Sequence, residues 1–277
     1  MAFDASRAAL WLYRQVRRTG VLSIPLAGRA YELVYAGYKR HVEDPFFNLT
    51  RRHPEFFKGG HIIDVGANIG YTAGVFAAVI RPGFSVWAFE PSMENFQRLQ
   101  DSIGRRRLQH VITARRAAVA DRVGTMDLLV NPAHPGDHHM AAAHGGADGP
   151  SRAAGVERVR VTTIDDEVRA GAIAPVAFIK IDVQGYELHV CRGMSETLDA
   201  NRGTAVVVEY APEHLKQYGV QPRALASFFA ERGFRGYRVT QRGRLEPIDA
   251  LDLPAQLPPP GYIDILFTRG AQVADPT

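Results

Sequence analysis

The sequence predicts an α/β fold in which a mostly parallel sheet is covered by helices on both faces. From residue 61 onward, short apolar segments that resemble strands alternate with segments that resemble helices. This alternation is typical of parallel sheets, because the connection between two parallel strands is usually a helix. Near the end of the chain, residues 235–240 and 261–268 both resemble strands with no helix-like segment between them. They predict an antiparallel pair that closes one edge of the sheet.

The chain before the sheet is predicted to be a helical N-terminal extension, residues 1–58. Residues 4–19 have the pattern of an amphipathic helix, with arginines on one face and a more apolar side opposite. Packing on the main domain, a dimer contact and a membrane-surface helix are all compatible with this pattern. Residues 28–58 are also predicted to be mostly helical, with breaks near Pro45 and Pro54.

The main domain is predicted to cover residues 59–270. Its predicted strands are 61–65, 85–89, 110–114, 158–162, 176–182, 204–210, 235–240 and 261–268. Its predicted helices are 70–80, 92–104, 185–200 and 222–232. One loop insertion, residues 131–155, interrupts this alternation and is rich in Gly, Ala, Pro and His. A loop of this length in a compact domain is usually functional or disordered, so we expect it to cover the site.

Composition excludes several classes of protein. With 277 residues and 46% hydrophobic residues, the chain can form a large core. Its net charge of +4 is too small to indicate nucleic-acid binding. Cys191 is the only cysteine, so no internal disulfide can form, and we expect it to be a small buried apolar residue. No apolar run is long enough to cross a membrane, and the start does not resemble a signal peptide. A cytoplasmic protein is therefore expected.

The segment "HIIDVGANIGYTAG", residues 61–74, predicts a strand, a glycine loop and a helix. Asp64 should lie near the end of the strand, while Gly66 and Gly70 let the backbone approach a ligand closely. The spacing is neither the dinucleotide fingerprint nor a phosphate loop. A carboxylate beside the loop suits a ligand with an amino group and a positive charge, such as S-adenosylmethionine. An ordinary strand-to-helix turn that needs glycine is the structural alternative.

Three more acids follow predicted strands. Glu90 ends the second strand, where such folds hold the hydroxyls of a ribose; a favourable charge at a helix N-terminus is the alternative. Asp182 and Glu209 end the strands that follow in "FIKID" and "VVVEY". The four predicted strands thus bring their carboxylates to one edge of the sheet. Acids that are partly buried need a partner, which a cationic cofactor or a metal ion would supply.

Together these segments resemble the FkbM family of S-adenosylmethionine-dependent methyltransferases. The resemblance covers roughly residues 60–210 and rests on "DVGANIGYTAGVFA", "VWAFEPSMENFQRL", "AAVADRVG", "TTIDD" and "FIKIDVQGYE". It implies a Rossmann-like class I methyltransferase fold, with a seven-stranded sheet whose last strand is antiparallel. It also implies methylation of a hydroxyl group on a small metabolite, sugar or natural product, often in natural-product or glycan biosynthesis. The chain departs from the family at Gln184, where the family commonly has Glu.

The resemblance also assigns roles to residues. The glycine loop would hold the methionine part of the cofactor, Glu90 the ribose, and Asp182 would lie near the amino group or the methyl donor. Pro91 and Ser92, together with Ala118 after the third strand, would flank the adenine. The cofactor-binding set is then Asp64, Gly66, Ala67, Asn68, Gly70, Tyr71, Glu90, Pro91, Ser92, Ala118 and Asp182.

A hydroxyl acceptor must lose its proton during methyl transfer, and a base or a metal ion can assist. His138 in "GDHH" is the candidate base, with Asp137 beside it; the alternative is that His138 and His139 are solvated loop residues. A divalent metal such as Mg²⁺, held by Asp182, Glu209 and a loop histidine, is the less favoured alternative; the spacing is not that of a closed zinc site. The candidate catalytic residues are therefore His138, Asp182 and Glu209, and no metal ligands are assigned.

We expect a methyltransferase acting on a small-molecule acceptor and not on nucleic acid. The alternative is a methyltransferase that acts on nitrogen or on a macromolecule. Such an enzyme would be expected to have an added binding domain or a large basic face, and neither is visible in the sequence. A non-catalytic protein that binds S-adenosylmethionine is a further alternative, expected to have lost at least one of the four acids. The sequence leaves the oligomeric state open, a homodimer included.

Overall fold

The structure is a computed structural model, and it describes residues 45–130, 139–140, 155–171, 173–259 and 261–269. The predicted helix 4–19 and most of the predicted extension lie outside these residues. The helices, in chain order, are α1 (Phe46–Arg52), α2 (Tyr71–Ala77), α3 (Met93–Arg105), α4 (Ile164–Arg169), α5 (Glu187–Arg192), α6 (Ser195–Ala200), α7 (Pro212–Gln217) and α8 (Pro222–Ala230). Short 3₁₀ helices cover Pro54–Phe57 and Ala250–Asp252. The strands are β1 (His61–Val65), β2 (Val86–Phe89), β3 (Ile112–Arg115), β4 (Ala118–Val119), β5 (Gly124–Val130), β6 (His139–Met140), β7 (Gly155–Thr162), β8 (Val176–Ile181), β9 (Ala205–Tyr210), β10 (Arg235–Val239), β11 (Leu245–Ile248) and β12 (Ile263–Thr268).

The main sheet has the order β11-β10-β12-β9-β8-β1-β2-β3. Strands β3, β2, β1, β8 and β9 are parallel to one another, whereas β12 runs antiparallel between β9 and β10. The order reverses between β1 and β8, where an open α/β sheet forms its ligand crevice. The predicted α/β, Rossmann-like fold is confirmed.

The edge of the sheet differs from the prediction in one strand. The predicted antiparallel pair exists as β10 and β12, but β11 adds an eighth strand outside β10. This strand contains Pro247 in a proline-rich stretch, so the sequence pattern did not predict a strand there. Proline is tolerated in an edge strand, because one side of that strand needs no ladder hydrogen bonds.

A second, smaller sheet has the order β4-β7-β5-β6. The predicted strand 158–162 is part of β7, which pairs antiparallel with β5 and parallel with β4, so it does not belong to the main sheet. The sheet packs against the main body through Leu128, Val159, Val161 and Tyr186. Most of the predicted loop 131–155 lies outside the described residues; within it, residues 139–140 form β6 and residue 155 begins β7.

Alternate residues of the central strands face two apolar clusters, one on each side of the sheet. Ile63 and Val65 belong to one cluster, while Ile62 and Phe178 belong to the other. Because both faces are covered, the strands read as continuous apolar runs. Charged groups on these strands can therefore reach solvent or ligand only at the strand ends.

The predicted helix 185–200 is divided into α5 and α6 at Gly193. A Cβ atom at Gly193 would lie 1.9 Å from the backbone oxygen of Ala120, so the main chain passes too close to the second sheet for a side chain. Cys191, just before this break, is fully buried, as expected, and burial raises the pKa of its thiol.

The segment before β1 packs into the core. Phe57 is fully buried, and its ring lies 4.4 Å from that of Phe178 and 5.8 Å from that of Phe76, measured between centroids. Side chains of Asn48 and Arg52 donate hydrogen bonds to backbone oxygens in the β10–β11 turn. No helix in the described part of the chain has the length and hydrophobicity that a membrane span requires.

Candidate active site at the carboxyl edge of the sheet

The glycine loop after β1 is fixed by its packing against two neighbouring strands. Gly66 has a φ of 77°, and a Cβ atom there would lie 1.9 Å from the backbone oxygen of Asp182. The amides of Gly66 and Ala67 both donate to the carbonyl of Phe89 at 3.0 Å. Gly66 is therefore required by the close approach of the protein's own backbone, which supports the structural alternative raised from the sequence. It does not exclude a ligand beside the loop.

Asp64 is fully buried and faces one hydrogen-bond donor and one cation. The Thr72 hydroxyl donates to Asp64 Oδ2 at 2.6 Å, and Lys180 Nζ lies 3.4 Å from Asp64 Oδ1. That Oδ1 atom accepts no hydrogen bond among the described residues. Asp64 thus lies beneath the glycine loop and orients the first residues of α2.

Lys180 is a cation that the sequence reasoning did not anticipate. Its Nζ donates to the carbonyl of Gly66 at 3.0 Å and lies 3.4 Å from Asp182 Oδ2. The side chain is only 5% exposed. The partner expected from a cofactor or metal ion is therefore supplied, at least in part, by the chain itself. The segment "FIKID" does place Lys180 two residues before Asp182, and residues two apart in a strand project to the same face. The contact between these two side chains could therefore have been predicted.

Glu90 links the glycine loop to the start of α3. Its Oε2 accepts from the amide of Asn68 at 2.9 Å and its Oε1 from the amide of Ser92 at 3.0 Å. Burial raises the pKa of Glu90 to about 7. Since each carboxylate oxygen has a second lone pair, Glu90 can accept further hydrogen bonds from a ligand.

Gln184 connects the acids that follow β8 and β9. Its Nε2 donates to Asp182 Oδ1 at 3.1 Å and to Glu209 Oε2 at 3.4 Å. Burial, followed by the charges of Asp182, Asp264 and Glu187, raises the pKa of Glu209 well above its ordinary value. The side chain of Asp182 is 35% exposed, so this acid is accessible from the edge of the sheet.

Glu187, which sequence reasoning also missed, shapes the turn that carries Gln184. Its Oε1 accepts from the amides of Gly185 at 2.9 Å and Val183 at 3.2 Å. The carboxyl is fully buried, and burial raises its pKa to about 7. Glu187 therefore stabilises the turn after Asp182 through these two backbone hydrogen bonds.

The residues expected around the adenine lie where the second sheet meets α3. Pro91 and Ser92 immediately precede α3, and Ala118 lies in β4. Close by, Glu157 on β7 forms an ion pair with Arg116 and accepts from the amide of Met93 at 3.2 Å. The second sheet is thereby tied to the start of α3.

The structure does not describe the candidate base. His138 and Asp137 are outside the described residues, as is the side chain of His139. Among the residues that are described, no three His, Cys, Asp or Glu side chains could together hold a metal ion. One histidine–acid pair does lie near the edge: His189 Nδ1 is 3.0 Å from Asp121 Oδ2, and its ring stacks on Tyr186.

Comparison with curated proteins finds a methyltransferase among the relatives of this chain. The hexuronic acid methyltransferase AglP of Haloferax volcanii is 24% identical over 168 residues, which are 61% of this chain. The match spans about three-fifths of the length of that relative.

Among solved structures, the O-methyltransferase TomG of Streptomyces achromogenes, in complex with S-adenosylmethionine, superposes with a TM-score of 0.49 and 12% identity. That match covers 95% of this chain and 90% of TomG. An O-methyltransferase of Bacillus cereus, in complex with S-adenosylhomocysteine (SAH), gives 0.48 and 13%, covering 91% and 94%.

The model of the methyltransferase FkbM domain matches residues 64–235, more than half of the chain. The matched region begins at Asp64 and includes the glycine loop, Glu90, Lys180, Asp182 and Glu209. The chain belongs to the FkbM methyltransferase family.

Proposed function

We propose that this chain transfers the methyl group of S-adenosylmethionine to a hydroxyl group of a small, sugar-like acceptor. The observation that carries the proposal is the assembly at the ends of β1, β2 and β8. There Asp64, Glu90 and Asp182 converge on the loop Gly66–Gly70 at the switch point of the sheet. Membership of the FkbM family and the hexuronic acid methyltransferase among the relatives support the same conclusion.

The residues present suit this cofactor chemically. The cofactor offers ribose hydroxyls and an ammonium group as donors, and this edge offers carboxylates as acceptors. The buried Glu90 carboxylate is held in place by two backbone amides and by the side chain of Asn95, and its remaining lone-pair capacity can accept from a ligand. Asp182 is the partly exposed acid that the ammonium end would meet. In the proposal Glu90 holds the ribose, Pro91, Ser92 and Ala118 flank the adenine, and the residues from Gly66 to Tyr71 line the methionine part.

The protein's own contribution to the reaction is positioning and proton removal. The bound cofactor would supply an electrophilic methyl group, and a preorganised site would align the acceptor with it. Burial and the neighbouring acids raise the pKa of Glu209 well above its ordinary value, and Gln184 already donates to its Oε2, so in the proposal Glu209 contacts the acceptor and does not act as its base. His138 therefore remains the proposed base, with a metal ion as the alternative route.

Binding of SAH tests the cofactor site directly. Titration calorimetry should detect binding, and Glu90→Ala or Asp64→Ala should weaken it more than tenfold, or about 1.4 kcal/mol. Glu94→Ala, on the exposed side of α3, is the matched control and should bind like wild type. Unchanged affinity in both site variants, with the fold intact, would contradict the proposal.

The acceptor and the base require turnover assays. Incubation with S-adenosylmethionine and a panel of neutral, amino and uronic acid sugars, followed by mass spectrometry, should reveal the gain of one methyl group on oxygen. His138→Ala should then lower kcat without changing the affinity for SAH, and EDTA should have no effect. Loss of turnover in EDTA that a divalent ion restores would favour the metal route instead.

The loop 131–155 is the proposed determinant of acceptor choice. Deleting residues 140–152 should reduce turnover far more than SAH affinity, since lids commonly gate such sites. A deletion variant with full activity would show that this loop is not part of the acceptor site.

A further inference from the structure

The strand ends β1, β8 and β9 carry a continuous series of polar contacts in which acids alternate with donors. Lys180 lies between Asp64 and Asp182, and Gln184 lies between Asp182 and Glu209. Asp182 therefore has an internal donor on each carboxylate oxygen, Lys180 at Oδ2 and Gln184 at Oδ1. The two donors differ in kind, because Lys180 carries a charge and Gln184 does not.

Gln184 is held in this position by the surrounding chain. Its φ is 54°, in the left-handed region that residues other than glycine rarely adopt. The next residue, Gly185, has a φ of 102°, and a Cβ atom there would lie 2.4 Å from the backbone oxygen of His214. Glu187 accepts hydrogen bonds from the amides on both sides of Gln184. The turn therefore fixes the backbone of Gln184, and the Gln184 side chain extends from there to the carboxylates of Asp182 and Glu209.

Two carboxylates that share one neighbouring group need a proton, a cation or a donor between them, because like charges at this range repel. We propose that the Gln184 carboxamide is a positioning residue that takes the place of a bridging cation between Asp182 and Glu209. In this chain, the part of the sheet edge formed by the ends of β8 and β9 is then assembled without a divalent metal ion. The proposal concerns the folded protein alone and does not depend on the reaction it catalyses.

The proposal predicts what happens when the amide becomes a carboxylate. Gln184→Glu would place a third acid between Asp182 and Glu209, and a hard divalent cation would be the natural group to bind there. The charged groups that face this position come from five elements and the loop itself. They are Asp64 on β1, Lys180 on β8, Asp182 in the loop, Glu187 on α5, Glu209 on β9 and Asp264 on β12, with His214 on α7 lying against the same turn.

The test measures the melting temperature of the full chain, without cofactor or acceptor, at pH 5 and pH 8.5, with EDTA or with MnCl₂. Gln184→Glu should melt at least about 3 °C below wild type at pH 8.5 and closer to it at pH 5, a change large enough to resolve in a domain of this size. Mn²⁺ should restore at least half of the loss at pH 8.5. Wild type and Gln100→Glu, an exposed change on α3, should respond to neither Mn²⁺ nor EDTA.

A second variant keeps the proposal testable if Gln184→Glu fails to fold. Gln184→Met has similar size but no donor, so its deficit relative to wild type should be larger at pH 8.5 than at pH 5. A deficit independent of pH would mean that the side chain only fills space. Stabilisation of wild type by Mn²⁺, or a Gln184→Glu variant that ignores both pH and Mn²⁺, would overturn the proposal.

Discussion

At the scale of single residues, the acids of the site were easier to predict than the groups that neutralise them. Asp64, Glu90, Asp182 and Glu209 each end an apolar run, and parallel strands bring their ends to one edge, so their proximity followed from the sequence. The contact of Lys180 with Asp64 joins residues on two strands far apart in the chain. Such a contact depends on strand order and register, which a local pattern does not specify.

Lys180 provides a test of this buried charge balance. Lys180→Met leaves Asp64 buried beside Asp182 without a cation, and removing one partner of a buried pair typically costs about 3–5 kcal/mol. We expect a loss of that order in the free energy of unfolding, measured with urea at pH 7. Lys216→Met, which removes a more exposed ion pair with Glu213, should cost less than about 1 kcal/mol. Equal losses in the two variants would contradict the buried role of Lys180.

The two buried carboxyls Glu90 and Glu187 predict how stability depends on pH. Burial raises both pKa values from 4.5 to about 7, so between these values the folded protein binds more protons than the unfolded chain. The free energy of unfolding that these two carboxyls contribute is therefore fully present below about pH 4.5. It is lost as pH rises toward 7, by roughly 3 kcal/mol for each carboxyl.

Urea unfolding at pH 5 and pH 8 measures this loss. Glu187→Gln keeps the hydrogen-bond acceptor but cannot ionise, so its loss of stability between the two pH values should be smaller than that of wild type. Glu94→Gln, a more exposed change on α3, should behave like wild type. An identical pH dependence for Glu187→Gln and wild type would show that Glu187 does not titrate in this range.

At the scale of elements, the strongly patterned segments were predicted and the segments defined by contacts were not. Strands β1, β2, β8 and β9 agree with their predicted positions within about two residues. The break between α5 and α6 follows from the close approach of Gly193 to Ala120. Strand β5 was missed because "GTMDLLV" includes a glycine and an acid and forms a strand by pairing with β7.

The glycine loop allows a matched pair of substitutions at this scale. Gly66 and Gly83 both have positive φ, so alanine costs backbone strain of about 1 kcal/mol at either position. A Cβ atom at Gly66 would also collide with Asp182, whereas at Gly83 it meets nothing within 4 Å. Gly66→Ala should therefore lose several kcal/mol of stability and bind SAH weakly, while Gly83→Ala should retain binding. Similar losses in both variants would mean that backbone strain alone is responsible.

At the scale of the whole molecule, the start of the folded unit can be tested by truncation. The predicted boundary at residue 58 stays a prediction, but Phe46, Leu49 and Phe57 are all buried in the apolar cluster that contains Phe178. A fragment of residues 45–277 should therefore fold cooperatively and bind SAH. A fragment of residues 59–277 would lose these side chains and should melt at least 10 °C lower, since deleting even one large buried side chain costs about 3–5 kcal/mol. Equal melting temperatures would place the boundary at residue 58 after all.

The sole cysteine has a practical consequence for studying this molecule. Cys191 is fully buried and its thiol is difficult to ionise, so maleimide reagents should leave the native chain unmodified, since the thiolate is the reactive species. Val123, 59% exposed at the turn between β4 and β5, could then be replaced by cysteine to give a unique attachment point for a fluorophore. Distances from that dye to a fluorescent cofactor analogue would report where the second sheet lies when the analogue binds, with every native residue but one retained.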